Sequence, residues 1–77
     1  MKLEIISTNE IMYSGDVESV TLPGVGGKFT VLKNHASLIS ALTQGEVRFS
    51  NGGLETRIDI KGGIADVDMN KISVCVY

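Results

Sequence analysis

The 77-residue chain is poor in several residue types. It has no tryptophan, one proline, one cysteine and one histidine, and only 5% of its residues are aromatic. The single cysteine, Cys75, excludes an internal disulfide and fits a reducing compartment. Because few aromatics accompany a hydrophobic fraction of 43%, the core has to be built from Val, Ile and Leu, which favours β-strands. We expect one small domain over residues 1–77, with Cys75 as a half-buried strand residue.

Two further absences narrow the possible functions. Seven basic residues face nine acidic ones, the net charge is -2, and no basic cluster is present, so nucleic-acid binding is not supported. No apolar run approaches the roughly 18 residues that a membrane span needs, and no signal segment follows Met1. We therefore expect no direct membrane insertion, and any membrane association has to come through a partner.

Hydrophobic and polar residues alternate with a period of two along most of the chain, which is typical of half-buried strands. In KLEIIST, for example, Leu3 and Ile5 oppose Lys2 and Glu4. The same alternation marks Val20 and Leu22, Val47 and Phe49, Ile58 and Ile60, and Ile72, Val74 and Val76. Turn signals occur at Ser14-Gly15-Asp16, Gly45, Asn51-Gly52-Gly53, Gly62-Gly63 and Met69-Asn70. This spacing predicts an all-β sandwich or barrel of short antiparallel strands.

One segment, SLISALTQ over residues 37–44, is ambiguous between helix and strand. Ser37 is a possible helix N-cap, and Leu38, Ala41 and Leu42 would share a helix face. Eight residues without tertiary support make a weak helix, so we predict a strand.

The stretch LPGVGGKFTVLKNH, residues 22–35, is rich in glycine and ends in the only histidine. It fails as a nucleotide P-loop, because Leu22 stands at the first glycine position and Phe29 follows Gly27-Lys28. It fails as a dinucleotide fingerprint because Phe29 also occupies the third glycine position. We interpret it as a long loop between strands, whose glycines supply positive φ angles, and as the surface of a binding module.

No catalytic, cofactor-binding or metal-binding constellation is recognisable in the sequence. His35 and Cys75 are forty positions apart, and one histidine with one cysteine does not furnish a zinc site or an oriented nucleophile. Asp66 and Asp68 project from one side of a strand, which we interpret as a solvated face in preference to a hard-metal site. We therefore predict that the protein is not an enzyme and has no cofactor or small-molecule substrate.

From Leu22 to Phe49 the sequence resembles the signature of the epsilon subunit of bacterial F-type ATP synthase. That family signature reads approximately Leu-Pro-Gly, two residues, Gly, one residue, Phe-Gly-Val-Leu-Pro-Asn-His-Ala-Pro-Leu. The matching residues are Leu22, Pro23, Gly24, Gly27, Phe29, Val31, Leu32, Asn34, His35, Ala36 and Leu38. KLEIIST, YSGDVESVTLPG and GGIADVDMNKISVCV resemble the rest of that family's N-terminal domain, so the resemblance covers essentially the whole chain.

The resemblance implies a ten-stranded antiparallel β-sandwich without a helical domain. It also implies a non-catalytic rotor subunit in the central stalk, which links the gamma subunit to the membrane c-ring during proton-driven ATP synthesis. Such a subunit lies at the cytoplasmic face of the bacterial inner membrane. The family pattern places Gly26, Gly27, Lys28 and Lys33 on the c-ring side. It places Ser7, His35 and Ser40 on the gamma side, although for His35 a purely local bond to a backbone carbonyl is an equal alternative.

The sequence departs from the family in two ways. Thr30 replaces a frequent glycine, and Lys33 and Ser37 replace prolines, which changes the stiffness of the loop. Many members continue into a two-helix C-terminal hairpin that lies beyond the position of Tyr77. Both a naturally short subunit and a chain cut after the sandwich are compatible with this, and we expect the former. The alternatives to a stalk subunit are a free-standing sandwich whose glycine-rich loop closes over a nucleotide or small anion, and a small enzyme using His35.

Overall fold

The computed structural model describes all residues from 1 to 77 and contains nine β-strands and no helix. The strands are β1 (Lys2–Ile6), β2 (Ile11–Asp16), β3 (Ser19–Gly24), β4 (Gly27–Leu32), β5 (Leu38–Leu42), β6 (Gly45–Asn51), β7 (Leu54–Ile60), β8 (Gly63–Asp68) and β9 (Lys71–Val76). The segment SLISALTQ contains strand β5, so the preference for a strand over a helix is confirmed. No helix capable of crossing a membrane is present.

The nine strands form one continuous sheet that divides into two halves. The first half has the order β2-β1-β9-β8-β5, and the second has the order β4-β3-β6-β7. The halves are joined where β5 pairs with β3, through the single register partners Gly24 and Leu42. This narrow junction lets the sheet fold over so that the two halves face each other.

A single cluster of 15 buried hydrophobic residues lies between the two halves. Leu3 and Ile5 of β1 are fully buried, and so are Val20 and Leu22 of β3, as their alternation predicts. The rings of Tyr13 in the first half and Phe49 in the second approach to 4.3 Å between centroids, with a tilted geometry. The core is therefore shared by both layers, as expected for a β-sandwich.

Two details of the predicted sandwich are wrong. The sheet is not wholly antiparallel, because β1 and β9 pair in parallel from Lys2–Lys71 to Ile6–Cys75. There are nine strands and not ten, and residues 7–10 and 33–37 lie in turns between strands. Each turn is closed by a local backbone bond, from Ser7 N to Glu10 O at 2.9 Å and from His35 N to Leu32 O at 3.1 Å. A backbone amide or carbonyl that already bonds within a turn is not available to pair with a neighbouring strand.

Some glycines serve packing and not the turns predicted for them. Gly15 lies inside β2, and the Tyr13 ring covers it. A Cβ on Gly15 would lie 2.8 Å from Tyr13 Oη. Gly45 begins β6 and lies beneath Pro23, whose Cβ would be 2.9 Å away from an added methyl group. The predicted turns at Gly52-Gly53 and Met69-Asn70 are confirmed.

The long loop predicted between Gly24 and Lys33 is also wrong. Residues 19–32 form a β-hairpin in which β3 and β4 pair from Ser19–Leu32 to Gly24–Gly27, with Val25 and Gly26 as the two-residue turn. The alternation of Phe29 and Val31 on the inward side continues through the glycine-rich part, and two-residue hairpins are the shortest connection of antiparallel strands. The turn of this hairpin is called the hairpin tip, and the end of the sandwich that carries it the hairpin end.

Candidate functional site

The hairpin tip, Val25 and Gly26, together with Gly27 at the start of β4, is the part of the glycine-rich stretch that presents open backbone. Gly27 has a φ of 127°, a conformation that L-residues with side chains rarely adopt. No atom lies within 4 Å of a Cβ built on Gly26 or on Gly27. Val25 is 67% exposed. A partner can therefore approach the backbone of the tip closely.

The base of the tip is held firmly to the rest of the fold. The Val25 amide donates to the Ala41 carbonyl at 3.0 Å, and the Thr43 amide donates to the Pro23 carbonyl at 2.9 Å. Gly24 is buried, and a Cβ there would lie 2.8 Å from the Gly27 carbonyl oxygen and 2.9 Å from the Phe29 ring. The tip is thus a short projection anchored at its base to β5.

The residues predicted for the c-ring side do not form one surface. Gly26, Gly27 and Lys28 lie together at the hairpin end, whereas Lys33 follows β4 at the opposite end of the sandwich. Lys33 lies five residues beyond Lys28 along β4, a distance of about 17 Å at the usual rise per residue of a strand. Both lysines are exposed, and the only ion pair in the structure joins Arg57 and Glu55 at 3.2 Å. The positive charges of Lys28 and Lys33 are therefore free to meet a partner.

The three residues predicted for the gamma side are likewise separated, and each bonds locally. Ser7 follows β1 at the hairpin end, and its hydroxyl donates to the Glu10 carbonyl at 3.3 Å. Ser40 lies within β5, and its hydroxyl donates to the Ala41 carbonyl at 3.1 Å. His35 lies at the opposite end from the tip.

The His35 side chain forms a local bond of the kind given as its alternative role. Its Nδ1–H donates to the carbonyl of Ala36 at 2.7 Å, which fixes the ring against its own turn. Asn34, immediately before it, has a φ of 66°, and asparagine is one of the few residues besides glycine that tolerates this conformation. The pair Asn34-His35 therefore shapes the turn from β4 towards β5.

The feature that sequence reasoning missed is a row of apolar side chains across the outward face of the first half-sheet. The strand register places five residues side by side across β2, β1, β9, β8 and β5. They are Ile11, Ile6, Cys75, Ile64 and Ala41, and this set is called the apolar row. Ile11 is 62% exposed and Ile64 is 55% exposed. The row is continuous because each member is the direct register partner of the next.

Cys75 occupies the middle of this row and is exposed, so the prediction of a half-buried cysteine is wrong. Its neighbours Val74 and Val76 point into the core, and alternation along β9 turns Cys75 outward. A signal for the row was present in the sequence: Ile64 falls at a position where the strand pattern expects a polar residue. The row itself follows from the pairing of distant strands, which the sequence pattern does not show.

The outward face of the second half-sheet has a different character. The Thr21 and Thr30 hydroxyls hydrogen-bond at 2.9 Å, and Arg48 and Arg57 are register partners beside them. Large contiguous apolar patches are uncommon on monomeric proteins and mark interaction surfaces, so the contrast makes the first half-sheet the candidate docking face.

The one cleft in the structure is open, with a volume of about 380 Å³, and is lined by residues 44–46 and 59–61. Glu46 and Asp59 are register partners within it and are both negative. Their charges disfavour the phosphates of a nucleotide. No three His, Cys, Asp or Glu side chains lie close enough to hold a metal ion. Asp66 and Asp68 are exposed on β8, in agreement with the solvated-face interpretation.

Fold and surface together define a small β-sandwich domain with an apolar outward face and an anchored glycine hairpin. The chain belongs to the family described as the ATP synthase delta/epsilon chain, beta-sandwich domain, whose family model matches residues 1–77. The resemblance stated from the sequence is therefore confirmed.

Several bacterial proteins named ATP synthase epsilon chain are similar to this chain. The Chlorobium limicola protein is 41% identical over 71 residues, which cover 91% of this chain and 81% of that protein. The Campylobacter jejuni protein is 43% identical over 75 residues, covering 96% of this chain and 58% of that protein. The Gloeobacter violaceus protein is 35% identical over 74 residues, covering 96% and 56%. The chain thus spans little more than half of the length of two of these relatives.

Solved structures support the same fold. A chain from the mitochondrial ATP synthase of Euglena gracilis, in a structure that includes the c-ring, superposes with a TM-score of 0.90 at 22% identity, covering 96% of this chain and 48% of that one. A chain from the central stalk and c-ring of the Tetrahymena thermophila mitochondrial enzyme superposes with a TM-score of 0.82 at 10% identity, covering 97% and 61%. At these identities the likeness concerns the fold.

Proposed function

We propose that residues 1–77 act as one domain of a non-catalytic rotor subunit in an F-type ATP synthase. In this role the domain sits in the central stalk between the gamma subunit and the c-ring, at the cytoplasmic face of a bacterial membrane, and takes part in proton-driven ATP synthesis. The observation that carries the proposal is the exposed apolar row, in a chain whose family and relatives are ATP synthase subunits.

The apolar row is proposed as the contact with gamma. A strip of exposed apolar side chains with polar residues beside it has the composition of a protein interface. Ile64 and Ile11 keep more than half of their surface exposed in the free chain, so docking would remove additional apolar surface from water. The row also crosses five strands, and a load applied to it is shared by every strand pair of the first half-sheet.

The gamma-side residues fit this contact to different degrees. Ser7 directly follows Ile6, and Ser40 directly precedes Ala41, so each is adjacent in sequence to a member of the apolar row. We therefore propose that the Ser7 and Ser40 segments border the gamma contact. His35 lies at the end opposite to the hairpin tip, and its proposed gamma contact would be a separate one.

The hairpin tip is proposed as the c-ring contact, through Gly26, Gly27 and Lys28. Open backbone at the two glycines suits close approach to a short loop of the ring, and Lys28 offers a positive charge beside it. Lys33 would reach the ring only as a second, distant contact. Because exposed ion pairs contribute about 0 to 1 kcal/mol each, grip on the ring has to come from several contacts at once.

Co-purification tests the proposed function. Tagged chain expressed in its own host should recover the gamma and c subunits from solubilised membranes, and loss of the gene should uncouple proton flow from ATP synthesis. Calorimetric titration of the purified chain with ATP and magnesium should give no saturable heat. Absence of gamma from the recovered material, together with saturable ATP binding, would favour the nucleotide-binding alternative.

A further inference from the structure

A second row of side chains lies beside the apolar row on the same outward face. The register places Ile39, Asp66, Ser73, Glu4 and Ser14 side by side across the same five strands. This set is called the acidic row, because Asp66 and Glu4 flank Ser73 on its two sides. Their backbones are two strand spacings apart, about 9.5 Å. The acidic row lies on the side of the apolar row that faces away from the hairpin end.

The two carboxylates of the acidic row have no cationic partner within the chain. In the next row, Asp68 is the register partner of Lys71, and Asp16 is the register partner of Lys2, so charges of that row balance each other. The single ion pair of the structure lies in the second half-sheet. The outward face of the first half-sheet therefore presents an apolar strip next to a strip with two unbalanced negative charges.

This arrangement resolves an ambiguity that an apolar row leaves open. A strip of aliphatic side chains offers no directional contact, so a partner can bind it in either of two opposite directions. A line of negative charge along only one side makes the two directions unequal, since like charges brought together destabilise the wrong one. Charge outside the apolar centre of an interface acts mainly on the association rate and on orientation.

We propose that the surface of gamma that docks on the apolar row carries basic side chains opposite Glu4 and Asp66, and that this pair steers and orients docking. The inference rests on the proposed function, because it names the chemistry of the partner at the same site. Glu4 and Asp66 thereby become residues that determine partner specificity, while the apolar row supplies most of the affinity.

Association kinetics of the purified chain with its cognate gamma subunit test the inference. The double variant Glu4→Gln and Asp66→Asn removes both charges and keeps side-chain size. At about 10 mM salt, where the Debye length is about 30 Å, we expect its association rate constant to be about fivefold to tenfold below that of the unsubstituted chain. The difference should shrink at 150 mM salt, and the dissociation rate should change little.

The matched control is Glu46→Gln with Asp59→Asn. It also removes two negative charges, but from the outward face of the second half-sheet. Its association with gamma should slow less than that of the Glu4 and Asp66 double variant, because its charges lie on the opposite face. The unsubstituted chain also reports directly on the inference, because its own association should slow as salt is added. Circular dichroism on both double variants checks that the fold is retained.

The outcomes distinguish failure of the steering role from failure of the proposed function. If the unsubstituted chain binds gamma at a rate insensitive to salt, or if both double variants behave alike, the steering role is overturned and docking on gamma stands. If the unsubstituted chain does not bind gamma at any salt concentration, the proposed function fails and this inference fails with it.

Discussion

Truncation of Ile64 to alanine tests the apolar row in isolation. Full burial of an isoleucine side chain is worth about 1.5 to 3 kcal/mol. Because Ile64 is 55% exposed in the free chain, docking can gain about 0.8 to 1.6 kcal/mol from the remaining surface. If the row is the contact, Ile64→Ala should weaken binding to gamma by about 4-fold to 15-fold. The free energy of unfolding should fall by only about 1 kcal/mol or less, because the side chain is already half outside the core.

Calorimetry or surface-immobilised gamma measures this change, with urea unfolding in parallel. Leu54→Ala is the matched control: Leu54 is 77% exposed, begins β7 in the second half-sheet and lies outside the row. It should leave the affinity for gamma unchanged. Equal affinities of Ile64→Ala and the unsubstituted chain, with both folded, would refute the reasoning that selects this face.

The remaining predictions concern the turns and close contacts of the fold. Gly63→Ala should lower the free energy of unfolding by about 2 kcal/mol or more, since its Cβ would overlap the Cys75 carbonyl oxygen. Gly26→Ala should change the free energy of unfolding by less than about 0.5 kcal/mol, because the space around Gly26 is open. Similar urea midpoints for the two variants would contradict this. His35→Ala should cost about 0.5 to 1.5 kcal/mol through loss of the bond to Ala36, and a loss above about 3 kcal/mol in the same urea assay would rule out a purely local role.

Much of the layer structure could be predicted from the sequence. Alternation identified the inward residues of the first and last strands, such as Leu3, Ile5 and Val74, because a strand buried on one face records that face at every second position. Strand β5 was also predicted correctly, because a helix of eight residues without tertiary support is weak. Weak helix signals over eight residues could not compete with pairing to β8 along the whole length of β5.

The pairing of strands could not be predicted in the same way. Alternation shows which side of a strand is buried but not which strand lies beside it, so the parallel pairing of β1 with β9 was missed. The same limit hid the apolar row, whose members Ile6 and Ile64 are 58 positions apart in the chain. A glycine in the sequence was also an ambiguous turn signal. At Gly15 and Gly45 a side chain packs over the residue and leaves no room for a Cβ, and neither residue lies in a turn.

The candidate site was predicted unevenly for a related reason. The glycine-rich stretch was singled out as one loop, which merged Gly26 and Lys33 into one surface, and the hairpin separates them by the length of β4. The local bond of His35 was foreseen as an alternative. The residues with the strongest claim to a partner contact, the apolar row, carried no motif.

The central claim, that gamma covers the apolar row, can be tested at Cys75, the only cysteine of the chain and an exposed member of the row. The measurement is the rate of alkylation of Cys75 by iodoacetamide with increasing amounts of gamma. A variant with Cys75→Ser and Thr30→Cys places the thiol on the other outward face as a control. If gamma covers the apolar row, alkylation of Cys75 should slow in proportion to the fraction of chain bound, while the control thiol reacts at a constant rate. Unchanged alkylation of Cys75 in a fully formed complex would contradict it.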